Sequence, residues 1–177
     1  MRPRDIIAFI NECIQAADGR SEVLLSDIRR AEVEYSRKRK DALEQEWRSC
    51  FPTLGALLNF YGRKRQVSMS LAEFRAEGLD DLALAIYSEG RKELDPLFGH
   101  AKTYVENGQD GAPFVRQIAA ILYRVGAVGL KVATGDRLIY SHLDEPLIND
   151  AILSDKSTIR LQPMLHAAFR LQANDAE

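Results

Sequence analysis

Cysteine is scarce in this chain: Cys13 and Cys50 are the only two in 177 residues. Two thiols are too few for a disulfide framework, and they read as reduced core groups of a cytoplasmic protein. No run of 18 apolar residues occurs, so neither a spanning helix nor a membrane partner is expected. Neither sign of charge is in large excess. With a formal net charge of −2, attraction to nucleic acid must come from a local patch. Arg2 and Arg4 imitate the basic start of a signal peptide, but Asn11, Glu12 and Gln15 interrupt the apolar run that would have to follow. The residue patterns of chemistry are missing as well. His100, His142 and His166 are the only histidines, and none stands in an H-x-x-x-H or H-E-x-x-H spacing. The two cysteines do not make a zinc ribbon. No G-x-x-x-x-G-K-[ST] phosphate loop occurs, and the nearest stretch, Gly126 to Lys131, lacks its spacing and its Ser/Thr. These absences predict a non-enzyme with no metal and no cofactor in the isolated chain.

What is present suits a globular chain. Hydrophobic residues make up 46% and charged ones 28%, a balance that argues against disorder. The length allows one large domain or two small ones. Apolar spacing near 3.6 predicts a first helix from Pro3 to about Ala17, with Ile6, Ile7, Phe9, Ile10, Cys13 and Ile14 as a core-facing stripe. Ser26 or Asp27 should cap a second helix reaching Trp47, interrupted in its apolar pattern by Arg37-Lys38-Arg39-Lys40. That run reads as a solvated face with Glu34 and Glu44 in pairing range, or as a site for an anionic partner. Pro52 breaks the helix, and Leu54, Leu57, Leu58 and Tyr61 mark a third. Ser70-Leu71-Ala72-Glu73 is a capping box. Further helices are expected after Asp80–Asp81, after Asp95-Pro96 and after Pro113.

Beyond Gly126 the period changes to 2. Val128, Leu130 and Val132 alternate, Thr134-Gly135-Asp136 turns, and Leu138, Tyr140 and His142 alternate again, which predicts a β-hairpin over 127–142. Phe114, Ile118, Leu122 and Val125 should lie buried beneath it. A strand at Ile159–Leu161 and a last amphipathic helix, Met164 to Leu171, follow. The fold class is therefore mainly α: a helical bundle followed by a winged-helix-like α/β module with a small antiparallel hairpin sheet.

Arg2 and Arg4 stand at the start of a helix, where the macrodipole favours acids. An anion such as phosphate would explain them; the structural alternative is a solvated end with an ion pair to Asp5 or Glu12. Arg-Pro-Arg-Asp-Ile-Ile-x-Phe-Ile-Asn resembles the start of the lid helix in bacterial P-loop ATPases of the AAA+/STAND type. The similarity continues through Ala31-Glu32-x-Glu34-Tyr35-Ser36, Leu43-x-x-Glu46-Trp47, Leu122-Tyr123-x-x-Gly126-Ala127-Val128-Gly129 and Gln162-Pro163-Met164-Leu165-His166. The resemblance implies a lid-like segment over 1–50, and a helical linker with a winged-helix-like domain over 51–177. It also implies that Arg4, with Arg2 as runner-up, meets a nucleotide phosphate held by another protein or by a missing ATPase domain. The chain would then be the back half of an ATPase, as a fragment or as a stand-alone relative.

Two functions follow. The first is a regulatory or interaction module that couples the nucleotide state of an ATPase core to a partner. The alternative is a nucleic-acid-binding winged helix, for which Arg63, Lys64, Arg65, Arg116, Gln117, Lys131 and Arg137 are the candidate contacts. Arg116, Gln117 and Arg124 are thin provision for a recognition helix, and a fold alone licenses neither function.

Overall fold

The computed structural model describes residues 3–89, 95–108, 110–142 and 148–171; the side chains of Pro3, Arg4 and Glu89 lie outside that description. Helix dominates, with one small antiparallel sheet. In chain order the elements are α1 (Pro3–Ala16), α2 (Leu25–Trp47), α3 (Leu54–Arg63), β1 (Ser68–Ser70), α4 (Leu71–Arg75), α5 (Leu79–Glu89), α6 (Phe98–Asn107), α7 (Ala112–Arg124), β2 (Val128–Lys131) and β3 (Thr158–Leu161). Short 3₁₀ turns occupy Asp150–Ile152, Pro163–Leu165 and Ala167–Phe169. The chain forms two compact units, one of residues 1–42 with 163–177 and the other of 43–162. Relative to a division at 50/51, the boundary falls inside α2, and the C-terminal segment groups with the first unit.

In the first unit α1 and α2 run antiparallel: Asp5 lies 3.8 Å from Arg39, the Phe9 and Tyr35 rings meet edge-on at 5.6 Å, and Glu12 pairs with Lys38 at 2.8 Å. Most of the expected core stripe of α1 is not buried: of its six residues only Cys13 is buried and Phe9 partly so. Cys13 and Ala17 are covered, whereas Ile6, Ile7, Ile10 and Ile14 are 46–61% exposed. Asp5 and Glu12 reach the cations of α2, and that rotation carries the isoleucines outward. The second helix starts one residue before Ser26. Asp27 serves as its third residue and accepts the Leu24 N–H at 3.0 Å, in the manner of an acid reaching back to a helix start. The expected closing helix over 164–171 is replaced by two 3₁₀ turns, in which the His166 carbonyl accepts the N–H groups of Phe169 and Leu171. Ala168 N–H donates to the Ser36 hydroxyl at 2.8 Å, so this segment is held by a side chain of α2.

In the second unit the sheet order is β1-β3-β2, both pairings antiparallel. Met69, Val128, Leu130, Ile159 and Leu161 point inward with Phe74, Phe114, Ile118, Leu122 and Val125 of the helical layer, all buried. The capping box of α4 is complete: Glu73 N–H donates to the Ser70 hydroxyl at 3.2 Å, and Ser70 N–H donates to the Glu73 carboxylate at 2.7 Å. Gly108 closes α6 in the left-handed conformation. The expected hairpin needs correction. The second arm touches β2 at a single bridge, where Leu130 and Ile139 exchange two backbone hydrogen bonds of 2.9 Å. The full partner of β2 is β3, some 27 residues along the chain from the end of β2. Cys50 is exposed rather than part of a core.

Candidate functional site

Arg2 lies outside the described residues, and of Arg4 only its place in the first turn of α1 is described. Around that end the charges are organised by α2. Arg37 pairs with Glu34 at 2.7 Å and Asp41 at 3.7 Å, and Lys38 bridges Glu12 and Glu34. The cation run is thus largely paired on the surface and contributes modestly to stability. Beside it a groove of about 520 Å³ opens between the helices, lined by Glu12, Gln15, Ala16, Arg30, Ala31, Val33 and Glu34. At its end Asp27, nearly inaccessible to solvent, receives the Leu24 N–H, Arg20 and Arg30. The Leu24 N–H, followed by the two guanidinium groups, holds its carboxyl below the ordinary range.

The candidate nucleic-acid contacts of the second unit are not brought together. Arg63, the last residue of α3, and Arg65, two residues beyond it with φ +52°, are exposed. Lys64 turns back: its ammonium donates to the Glu77 carbonyl and sits 4.6 Å from the centre of the Phe60 ring. Partial burial lowers its pKa. The register sets this cluster apart from Lys131. Ser68, three residues after Arg65, lies opposite Arg160, and Arg160 lies opposite Gly129; Lys131 stands at the other end of the sheet, opposite Thr158. Arg137 is exposed in the turn after β2.

Arg116 and Gln117 are half-buried on α7. The chain between β2 and β3 folds back there: Ile148 and Leu153 are buried, the 3₁₀ turn at Asp150–Ile152 packs on α7, and Arg116 donates to the Leu153 carbonyl at 3.4 Å. Asn149 caps that turn and Ser157, fully buried, closes the loop by donating to the Val132 carbonyl at 2.8 Å. The outward side of α7 is therefore partly occupied by the chain's own loop.

Sequence reasoning missed Arg160, which stands exposed on the central strand. Its signal was the alternation Ile159-Arg160-Leu161. Tyr140, expected only as part of a hairpin arm, has its ring over Gly129 on the outer face of the sheet so closely that a Cβ there would lie 2.5 Å from it. Burial raises the Tyr140 pKa, and nearby Arg160 opposes that shift. Among the described residues no three His, Cys, Asp or Glu side chains gather as a metal site, and no helix is long and apolar enough to cross a membrane.

Residues 1–44 match the family model of the FunZ-associated C-terminal helical domain. The FunZ-associated match covers α1 and most of α2, the part that also carries the Arg-Pro-Arg-Asp motif, and stops before α3. No curated protein and no solved structure matches the chain.

Proposed function

We propose that this chain is a non-catalytic regulatory module, a lid-like helical unit joined to a winged-helix-like unit, which couples the nucleotide state of a P-loop ATPase core to a protein partner. The observation that carries the protein-binding reading is the loop folded onto α7. A major-groove reader needs the outward face of its recognition helix free for base edges, and here Arg116 is drawn to the Leu153 carbonyl instead. Support for the winged-helix comparison comes from the element order α3-β1-α4, then α7-β2-β3, with the last strand between the first two. The FunZ-associated domain is described as C-terminal, which suits a segment that follows another folded part of a protein. In this reading Arg4, with Arg2 as runner-up, supplies a cation to a phosphate held by the core. A cation in the first turn costs a few tenths of a kcal/mol against the helix dipole, and a bridging anion offsets that cost.

The test is affinity capture from an extract of the host in the presence of ATP or of ADP, with the retained proteins identified by mass spectrometry. A P-loop protein held more strongly with one nucleotide is expected. Arg4→Ala should remove the nucleotide dependence without lowering the melting temperature, and Arg4→Lys should restore only part, because lysine lacks the guanidinium fork. Capture without any P-loop protein counts against the reading. Duplex DNA titrated by fluorescence anisotropy separates the alternative: tight binding that falls steeply with salt and is lost with Arg63→Ala/Arg65→Ala would replace the protein partner by nucleic acid.

A further inference from the structure

Nine of the eleven large apolar residues exposed among the described residues fall between Ile6 and Val33. Such crowding is unlike the scattered exposed side chains of an ordinary surface. Four of them, Ile6, Ile7, Ile10 and Ile14, form one face of α1. Ile7, Ile10 and Ile14 stand at i, i+3 and i+7, the spacing with which one helix packs its side chains into another. The face borders the side of the same helix that carries half-buried Phe9 and buried Cys13, with buried Ala17 just past its end, so it continues a core that α2 covers only in part. Val23, Leu24, Leu25 and Ile28 extend the apolar surface at the turn between the two helices.

We propose that this isoleucine face pairs with the same face of a second copy of the chain, the two α1 helices antiparallel about a twofold axis. Charge decides for a second copy over a charged partner. Between Ile6 and Gln15 the exposed residues of α1 are Ile6, Ile7, Ala8, Ile10, Asn11, Ile14 and Gln15, all neutral, while Glu12 is turned to Lys38. Two such faces meet without repulsion. The last turn of α1 carries no base, and just beyond it Asp18 and Glu22 are accompanied by Arg20, which is held by Asp27. Antiparallel copies also oppose their helix dipoles favourably. The area is sufficient. With about 100 Å² for each fully exposed aliphatic side chain, the eight residues other than Val33 present on the order of 400 Å². Two copies would remove roughly 800 Å² of apolar surface, and with the usual polar share the interface passes the about 1,000 Å² that specific association needs.

Sedimentation equilibrium of the full chain over a range of concentrations tests this. A reversible monomer–dimer equilibrium is expected. Ile10→Asp and the neutral pair Ile7→Gln/Ile14→Gln should weaken dimerisation about a hundredfold or more, since each change acts twice across the twofold axis. Leu84→Asp, an exposed apolar residue of the other unit, should leave the dimer unchanged. Circular dichroism establishes that each variant remains helical. A wild-type chain that is monomeric at every concentration overturns the proposal. So does a dimer that survives both α1 variants, or one that Leu84→Asp dissolves.

Discussion

At Asp27 a backbone N–H and two guanidinium groups converge on one buried carboxylate. These partners favour its charged form, so the folded chain holds it ionised to a lower pH than the unfolded chain does. The stability it contributes is present above the ordinary carboxylate value and is lost as pH falls through the lower folded one. Asp27→Asn should therefore melt below the wild type at neutral pH, and the gap should close as the pH is taken below about 4. Thermal melts across that range check the sign, and a gap that stays constant would assign Asp27 a role independent of its charge. At this scale the sequence was only partly informative. Asp27 was recognisable as a helix-start residue, but its position as third rather than capping residue depends on where the preceding loop delivers Leu24. Lys64 likewise stood in a plausible basic cluster, and only the nearness of Phe60 and the Glu77 carbonyl withdraws it.

Elements held by local rules were legible. The capping box at Ser70–Glu73, the glycine after α6 and the change of period at Gly126 each involve residues within a turn of one another. The loop between β2 and β3 was not, because alternation marks a strand without naming its partner. One expected arm of the hairpin became the stretch that carries Tyr140 over the sheet. Gly129 makes that crossing possible, since any side chain there would strike the ring. Gly129→Ala should expel Tyr140 and destabilise the chain by about 1–3 kcal/mol. In Gly129→Ala/Tyr140→Ala the clash has no partner, so the double variant should be no less stable than Tyr140→Ala alone. Denaturant titration of the three variants measures this coupling; strictly additive losses would show that the two residues act separately.

For the whole molecule, the missing phosphate loop carries the plainest expectation: the purified chain should neither hydrolyse ATP nor bind it tightly. Calorimetry giving a micromolar dissociation constant, or a turnover abolished by a single substitution, would set the non-catalytic reading aside. By itself the sequence determined the helical class, most helix boundaries, the buried residues of α7 and the presence of a small antiparallel sheet, because periodicity and capping are properties of neighbouring residues. Only the tertiary structure decided which part of the α1 stripe is covered, which strand lies between the other two, and that residues 148–153 rest on α7. Those outcomes depend on ion pairs, strand register and close contacts between residues far apart in the chain. Asp5 with Arg39, Arg160 with Gly129, and Arg116 with Leu153 leave no periodic trace in the sequence.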